Sequence, residues 1–212
     1  MMRQYGVTRN GKISKGLNRL LEKYPARRVF TMNTLLEDAE MLSVVDSDDH
    51  VVGTERRDKI HELGLRHRAV HVLIFNNNGD LFLQKRGLHK KENPGLWDSS
   101  VAGHVDAGET YDACCVREVE EEVGLVLDAT PQRLFKLAAG AENGMEFSWI
   151  YRVDTDKALV PNVDEISEGR WFAKSEVDRA VIDQSTEISE VFQLIWKIFR
   201  STRSTRSAES SG

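Results

Sequence analysis

The side chains best suited to chemistry lie close together in residues 103–125, which read GHVDAGETYDACCVREVEEEVGL. Thr110 is a suitable N-cap and Gly124 suits the position just after a helix, so residues 111–123 are predicted to form one helix. At about 100° per residue, this helix carries a valine stripe roughly 60° wide and, well away from it, a carboxylate arc about 100° wide. The members of that arc are Glu118, Glu121 and Glu122.

The carboxylate arc is unfavourable unless a cation compensates its charge. Its anions lie near a helix C-terminus, where they oppose the helix dipole, and like charges at such spacings repel by about 0.2–0.5 kcal/mol per pair. Carboxylate oxygens are hard ligands, so the expected cofactor is Mg²⁺ or Mn²⁺, shared with the phosphate oxygens of a substrate. Arg117 cannot lose its charge, and Glu109 and Glu121 are the carboxylates that its planar guanidinium is expected to hold.

The segments around this helix predict the strands that must position it. MLSVVD and VVGT indicate a β-hairpin, and a helix over Arg57–Leu63 is expected to end at Gly64. AVHVLIF and DLFLQKR indicate a second hairpin, because the connecting NNNG supplies the positive φ that tight turns need. Leu96–Val101 is expected to be extended, and QRLFKLAAG, MEFSWIYRV and GRWFA indicate three further strands. Helices are predicted over residues 175–182 and 186–199.

Length and composition indicate one core domain with extensions, since the chain has 212 residues and is 40% hydrophobic. Hairpin-linked strands on both sides of a helix, followed by helices, predict an α/β (α+β) sandwich rather than a doubly wound sheet. We expect an N-terminal extension (1–40), the core domain (41–182), a C-terminal amphipathic helix (183–199) and a disordered tail (200–212). The tail is predicted to be disordered because it has almost no apolar residues.

Composition also limits the partners. A formal net charge of -5 and a pI of about 5.7 argue against general nucleic-acid binding, which needs a basic face. No apolar segment is long enough for a membrane span, and the two cysteines, Cys114 and Cys115, are adjacent and unsuited to an ordinary disulfide. We therefore expect a soluble cytoplasmic protein with a small-molecule substrate and no nucleic-acid or membrane partner. The N-terminal extension and the final helix are the surfaces through which a homodimer could form.

Residues 103–125 also match every specified position of the pattern G-x5-E-x7-R-E-U-x-E-E-x-G-U, in which U is aliphatic. The matching residues are Gly103, Glu109, Arg117, Glu118, Val119, Glu121, Glu122, Gly124 and Leu125. The segment resembles the Nudix box, which implies an α/β/α sandwich with a mixed sheet over about residues 41–182. The resemblance also implies that the carbonyl of Ala102, just before the first glycine of the box, is a metal ligand. A solvated acidic helix face is the alternative for REVEEEVG alone; Gly103 and Glu109 in register argue against it.

The surrounding sequence, HRAVHVLIF, LFLQKR and NPGLWDSSVAGHVDAGE, resembles the isopentenyl-diphosphate-isomerase-like branch of the Nudix proteins. True isomerases keep a proton-transferring cysteine in a pattern like W-x-N-S-V-C-G-H, where this chain has Ala102. An alanine methyl group can neither donate nor accept a proton, so a hydrolase on an isomerase-like frame is expected. His67 and His104 match the histidine metal ligands of the branch by position, and Glu146 resembles its strand carboxylate. Isomerase activity and non-catalytic nucleotide binding are the alternatives.

The expected reaction is metal-assisted hydrolysis of a diphosphate linkage in a nucleotide or another organic diphosphate. Glu118, Glu121 and Glu122 are the predicted ligands, with Ala102 and Glu146 as further ones, while Glu109 and Arg117 support them. Glu121 is the preferred general base, and Glu165 and Glu168 are the alternatives. The candidates for substrate binding are Arg66, His67, Arg68, Lys85, Arg86 and His104. The sequence does not identify the diphosphate.

Overall fold

The structure, a computed structural model, describes residues 40–209, with side chains as far as Thr202. Its strands are β1 Met41–Val45, β2 Val51–Arg56, β3 His67–Phe75, β4 Leu81–Arg86, β5 Trp97–Asp98, β6 Val101–His104, β7 Gln132–Leu137, β8 Glu146–Asp154 and β9 Ile166–Phe172. Its helices are α1 Arg57–Leu63, α2 Tyr111–Val123, α3 Lys174–Ile182 and α4 Glu190–Glu209, with a 3₁₀ turn at Ala141–Asn143. The predicted N-terminal extension, apart from Glu40, lies outside the described residues.

Both predicted hairpins are confirmed. β1 and β2 pair antiparallel in a two-stranded sheet, and α1 follows and ends at Gly64, whose φ of 60° is left-handed. β3 and β4 pair antiparallel across the NNNG turn, where Gly79 has a φ of 81° that a residue with a Cβ rarely adopts. The NNNG turn therefore joins β3 and β4 as the sequence predicted.

The larger sheet is mixed, as the Nudix resemblance implied. Its seven strands have the order β5-β4-β3-β8-β7, with β6 paired to β3 and β9 paired to β4. β3 and β8 run parallel, whereas the other pairings in this sheet are antiparallel. The segment expected to be extended over Leu96–Val101 forms two short strands, of which β6 continues to His104.

Alternating side chains on β3 divide the core into two layers. Val70, Val72 and Ile74 face α2 and pack in a cluster with its residues Cys115, Val119 and Val123. Leu73 and Phe75 face the other way, into a cluster with Val177 of α3 and with Phe192 and Trp196 of α4. The sheet therefore lies between helices on both faces, which confirms the predicted α/β/α sandwich.

Helix α2 has the predicted bounds because both of its predicted caps form. The Thr110 side chain accepts a hydrogen bond from the Ala113 amide at 3.2 Å, and Gly124 closes the helix with a φ of 64°. Val119 and Val123 of the valine stripe are buried against the sheet, and Val116 is half-buried. In the carboxylate arc, Glu121 is exposed and Glu118 is half-buried, whereas Glu122 is buried beside the valine stripe, contrary to the expected separation.

Helix α4 differs from the prediction at both ends. It begins later because Ser189 lies just before it and its hydroxyl accepts from the Phe192 amide at 3.2 Å. It continues to Glu209, into the segment predicted to be disordered from residue 200, since extending an existing helix needs only one backbone hydrogen bond per residue. Arg200 in that extension pairs with Asp178 of α3 at 3.0 Å. No helix among residues 40–209 combines the length and apolar character needed to cross a membrane.

The buried face of α4 predicts that this helix is part of the core domain. Phe192→Ala should lower the free energy of unfolding by about 3–5 kcal/mol, because it removes a fully buried aromatic ring. Lys197→Ala, on the exposed side of the same helix, should change it by less than about 0.5 kcal/mol. Urea denaturation followed by circular dichroism measures both. Equal, small losses would show that α4 does not pack on the sheet.

Candidate active site

Arg117 binds three carboxylates of the candidate site. Its Nε and Nη2 donate to the two oxygens of Glu109 at 3.0 and 2.9 Å, and its Nη1 donates to Glu118 at 2.8 Å and to Glu121 at 3.1 Å. Both carboxylates that the sequence offered as partners are therefore bound, and Glu118 is bound as well. Burial alone would raise the pKa of Glu109, but Arg117 and the Asp106 amide hold it below its ordinary value.

Strand β6 provides the surface against which Glu118 lies. Gly103 has no side chain, and a Cβ at that position would overlap the carboxylate group of Glu118. The next residue, His104, accepts a hydrogen bond from Nη2 of Arg117 on its backbone oxygen at 3.2 Å. The first glycine of the pattern is thus needed for close approach of a carboxylate to the backbone, and Ala102 precedes it on the same strand.

Glu122 is the most constrained carboxylate of the arc. Its side chain is buried and accepts a hydrogen bond from Nε2 of Gln84 on β4 at 2.8 Å. Burial raises the pKa of Glu122 well above its ordinary value, and the charges of Glu118 and Glu165 raise it further, against the effects of Arg86 and Lys90. Two carboxylates brought together in this way are suited to a hard divalent cation such as Mg²⁺ or Mn²⁺. Glu121, in contrast, is 58% exposed.

A second cluster lies on the opposite face of the sheet and contains three imidazole rings. The ring centroids of His61, His67 and His104 are 4.9–5.2 Å apart. Oε1 of Glu146 lies 3.2 Å from Nε2 of His104 and 3.6 Å from Nε2 of His67. Nε2 of His61 and Nε2 of His67 are buried and have no hydrogen-bond partner among the described residues. Unpaired buried nitrogens that point together are the donors a metal ion requires.

The charges in this histidine cluster favour metal binding. Burial lowers the pKa of His104 to about 3 and also lowers the pKa of His61, so both rings are neutral and can ligate near pH 7. Burial would raise the pKa of Glu146, but His104 and His67 hold it well below its ordinary value. Glu146 was a possible further ligand beside the helix carboxylates, and its resemblance to the isomerase-like branch grouped it with His67 and His104. In the structure it lies with these two histidines. His61, on α1, was missed because no local spacing links it to β6.

The predicted phosphate-binding cations separate into different environments. Arg86 lies near Glu122, where its charge opposes the high pKa of that carboxyl. Lys85 points to the other face, with Nζ 5.5 Å from the centre of the Trp97 ring. Arg68 is bound to Asp49 in the turn of the first hairpin at 2.6 Å.

The two other cationic residues to consider are Arg66 and Lys90. Arg66 is an exposed residue just before β3. Lys90 acts on the pKa of Glu122 together with Arg86, although the sequence analysis did not select it. The only feature of the sequence that pointed to Lys90 was its position in the loop after β4, the strand that carries Lys85 and Arg86. Alternation along β4, rather than proximity in sequence, thus separated Lys85 from Arg86.

Comparison with known proteins identifies the family of the chain. The NUDIX domain matches residues 65–193, which include both clusters except His61. The chain belongs to the Nudix family. Like the Nudix hydrolases among its relatives, it is a hydrolase that acts on phosphorus-containing anhydrides.

The similar proteins carry both hydrolase and isomerase names, as expected for the isomerase-like branch of the Nudix family. Isopentenyl-diphosphate Delta-isomerase 2 of Photorhabdus laumondii is 31% identical over 72% of this chain and 88% of that protein. An uncharacterized Nudix hydrolase of Streptomyces coelicolor is 35% identical over 69% of this chain and 82% of that protein. The crystal structure of DR0079 from Deinococcus radiodurans, at 28% identity, has a TM-score of 0.65 and covers 74% of this chain and 98% of its own.

The raised pKa of Glu122 predicts how pH affects the metal-free protein. The unfolded chain ionises this carboxyl near its ordinary pKa of 4.5, whereas the folded chain retains the proton to higher pH. Folding stability is therefore lost as pH rises from about 4.5 through the raised pKa. Glu122→Gln removes this loss, so in EDTA at pH 8 the variant should be more stable than the natural chain.

Thermal denaturation between pH 5 and pH 8 measures this difference. Glu120→Gln is the matched control, because Glu120 is exposed on the same helix and its replacement should leave the pH dependence unchanged. The prediction fails if the natural chain and Glu122→Gln lose stability in parallel as pH rises.

Proposed function

We propose that this chain is a metal-dependent hydrolase that cleaves the diphosphate linkage of a nucleotide or another small organic diphosphate. The observation that carries the proposal is that Glu122 is buried against Gln84 while Glu118 lies close to the backbone of Gly103. The charges of Glu118, Arg86 and Lys90 all act on Glu122. A divalent cation between carboxylates and neighbouring cationic side chains is the combination that a diphosphate requires.

Glu118 and Glu122 are the proposed principal ligands of Mg²⁺ or Mn²⁺, with Glu121 and the carbonyl of Ala102 completing the protein contribution. The bound ion would neutralise phosphate charge and lower the pKa of a water molecule. Arg117 and Glu109 are positioning residues, because Arg117 is held by both oxygens of Glu109 and donates to the Glu118 carboxylate at 2.8 Å. Arg86 is the proposed contact to a phosphate oxygen.

The reaction is a transfer of a phosphoryl group to water. A carboxylate accepts a proton from the attacking water, the water oxygen bonds to one phosphorus, and the bond from that phosphorus to the bridging oxygen breaks. The electron pair leaves with the second phosphate. Glu121 would serve as the base after it releases Arg117, which binds it at 3.1 Å. Glu165, whose charge acts on Glu122, is the second proposed base.

The histidine cluster is proposed to hold a second divalent ion, such as Zn²⁺ or Mn²⁺, through His61, His67, His104 and Glu146. Three imidazoles and one carboxylate match the donors that transition metals prefer. The two sites meet at β6: the ring of His104 belongs to the histidine cluster, while its backbone oxygen binds Arg117 of the carboxylate site.

Zinc affinity tests the histidine site without reference to activity. His61→Ala should weaken Zn²⁺ binding by at least about tenfold in competition with a chromophoric chelator, since it removes one donor from a buried set. His50→Ala is the control, because His50 belongs to an exposed group with Asp46 and Asp48 that also offers ligand atoms. Loss of zinc affinity in His50→Ala and retention in His61→Ala would move the site to that exposed loop.

The second candidate function is isomerisation of isopentenyl diphosphate. It is favoured by relatives with that name, including one from Serratia proteamaculans that is 36% identical over 53% of this chain. Against it stands Ala102, whose methyl group cannot transfer a proton. We also propose a cytoplasmic location, which the two free, buried cysteines support, while association into a homodimer remains a prediction.

The proposed function is tested by a screen of organic diphosphates for phosphate release with Mg²⁺ and with Mn²⁺, followed by identification of both products. Glu118→Gln should lower turnover by about a hundredfold or more, because it removes charge at the metal site, whereas Glu120→Gln should retain it. Allylic product from isopentenyl diphosphate would establish the isomerase instead. Absence of any product in the presence of bound metal would leave a binding module.

A further inference from the structure

A mostly buried ion pair joins two loops beside Glu122. Nζ of Lys90, in the loop after β4, contacts Oε2 of Glu165, in the loop before β9. The Lys90 side chain is 9% exposed and that of Glu165 is 28% exposed. A backbone hydrogen bond from the Gly87 amide to the Glu165 oxygen at 2.9 Å ties the same two loops. This backbone hydrogen bond fixes the position of one loop relative to the other, so the ion pair is not required to hold the two loops together.

The ion pair belongs to a set of charged groups that act on Glu122: the carboxylates of Glu118 and Glu165 and the cationic groups of Arg86 and Lys90. A divalent cation bound at Glu118 and Glu122 would add positive charge to this set and would attract a diphosphate. Lys90 is too buried to be solvated fully, so its ammonium group must have an anionic partner in every state of the site.

The diphosphate of the substrate is the stronger anion for that ammonium group. It carries at least two negative charges, whereas Glu165 carries one, and charge-assisted hydrogen bonds to phosphate are short and strong. The backbone of the Glu165 loop is anchored independently of the ion pair. The Asn162 amide donates to the Glu122 backbone oxygen at 2.8 Å, and the Glu165 amide donates to Asn162 at 3.0 Å. Exchange of partners therefore needs a side-chain rotation and no loop opening.

We propose that the Lys90–Glu165 ion pair is a latch that the substrate opens: Lys90 exchanges the Glu165 carboxylate for a phosphate oxygen, and the released carboxylate accepts the proton of the attacking water. The inference rests on the proposed diphosphate hydrolase function and adds to it the exchange of partners by which the substrate releases Glu165 from Lys90. It also explains why a carboxylate suited to general-base chemistry is neutralised by a lysine while no substrate is bound. The latch delays the base until a diphosphate is in place.

The latch makes a prediction that a merely structural ion pair does not. If the pair only joined two loops, removing either partner would weaken substrate binding and stability together. If it is a latch, removing Glu165 removes the carboxylate that competes with the diphosphate for Lys90, so diphosphate binding becomes tighter while the chemical step is lost. Removing Lys90 has the opposite effect on binding.

Calorimetric titration with methylenediphosphonate, which cannot be hydrolysed, tests the latch in the presence of Mg²⁺. We expect Glu165→Gln to tighten binding several-fold and Lys90→Met to weaken it by about tenfold to a hundredfold. The double variant should bind like Lys90→Met alone, because Glu165 competes only for Lys90. Lys90→Arg should restore most of the affinity, and Lys91→Met, which changes the adjacent exposed lysine, is the control.

Turnover of a substrate found in the phosphate-release screen gives the second readout. Glu165→Gln should lower kcat by about 10²–10⁴-fold without raising KM, the effect of losing a general base. Weaker or unchanged diphosphonate binding by Glu165→Gln overturns the latch while leaving the hydrolase function intact. A natural chain that binds Mg²⁺ but no diphosphonate overturns both. If Lys90→Met does not fold, Glu165→Gln and Lys90→Arg still decide the question.

Discussion

Burial of Glu122 is the constraint on which the rest of the site depends. The valine stripe of α2 must pack on the sheet, and this packing carries Glu122 inward with it, against Gln84 of β4. A carboxyl group in that position either keeps its proton or gains a cation. The second carboxylate, Glu118, raises the pKa of Glu122 further and offers a second ligand to a cation. Under the proposed function, the free energy of core packing thus creates a place for a divalent ion.

Strand β6 is the element that makes this arrangement possible. On one face, Gly103 allows the Glu118 carboxylate to approach the backbone; on the other, His104 joins His61, His67 and Glu146. Arg117 closes the connection by binding Glu109, Glu118 and the His104 backbone oxygen together. The two clusters are therefore connected through Gly103 and His104, two consecutive positions of β6. The two candidate metal sites are neighbours in structure although different layers of the sandwich carry them.

Local rules predicted the elements of the fold, and tertiary packing decided what those rules could not. Thr110 and Gly124 gave the bounds of α2 because caps are encoded within a few residues, and NNNG did the same for a hairpin. The structure of the tail after residue 199 was harder to predict from its polar composition, because α4 propagates into it from the part of the helix that packs on the sheet. The NUDIX match and the mixed sheet confirm the family and the fold that the pattern of residues 103–125 indicated.

Side-chain partners in the site followed less directly from the sequence. Arg68 was a predicted phosphate ligand, but in the structure it is bound to Asp49 in the turn of the first hairpin. Lys85 and Arg86 lie on opposite faces of the sheet because side chains alternate along β4. His61 lies on α1, distant along the chain from most of the residues that it contacts, and Lys90 lies in a loop outside the regular elements. No periodic pattern in the sequence marks either residue. Pairing across the fold, rather than residue type, determines which charges are left available for a ligand.

The central claim is that the metal replaces a proton on Glu122. Titration of the metal-free chain with Mn²⁺ in buffers of different ionisation enthalpy measures the protons released on binding. The account predicts release that is largest at low pH, within the range where the domain is folded, and that declines as pH rises through the raised pKa of Glu122. Mn²⁺ binding with no proton release at any pH, or no Mn²⁺ binding at all, would contradict it.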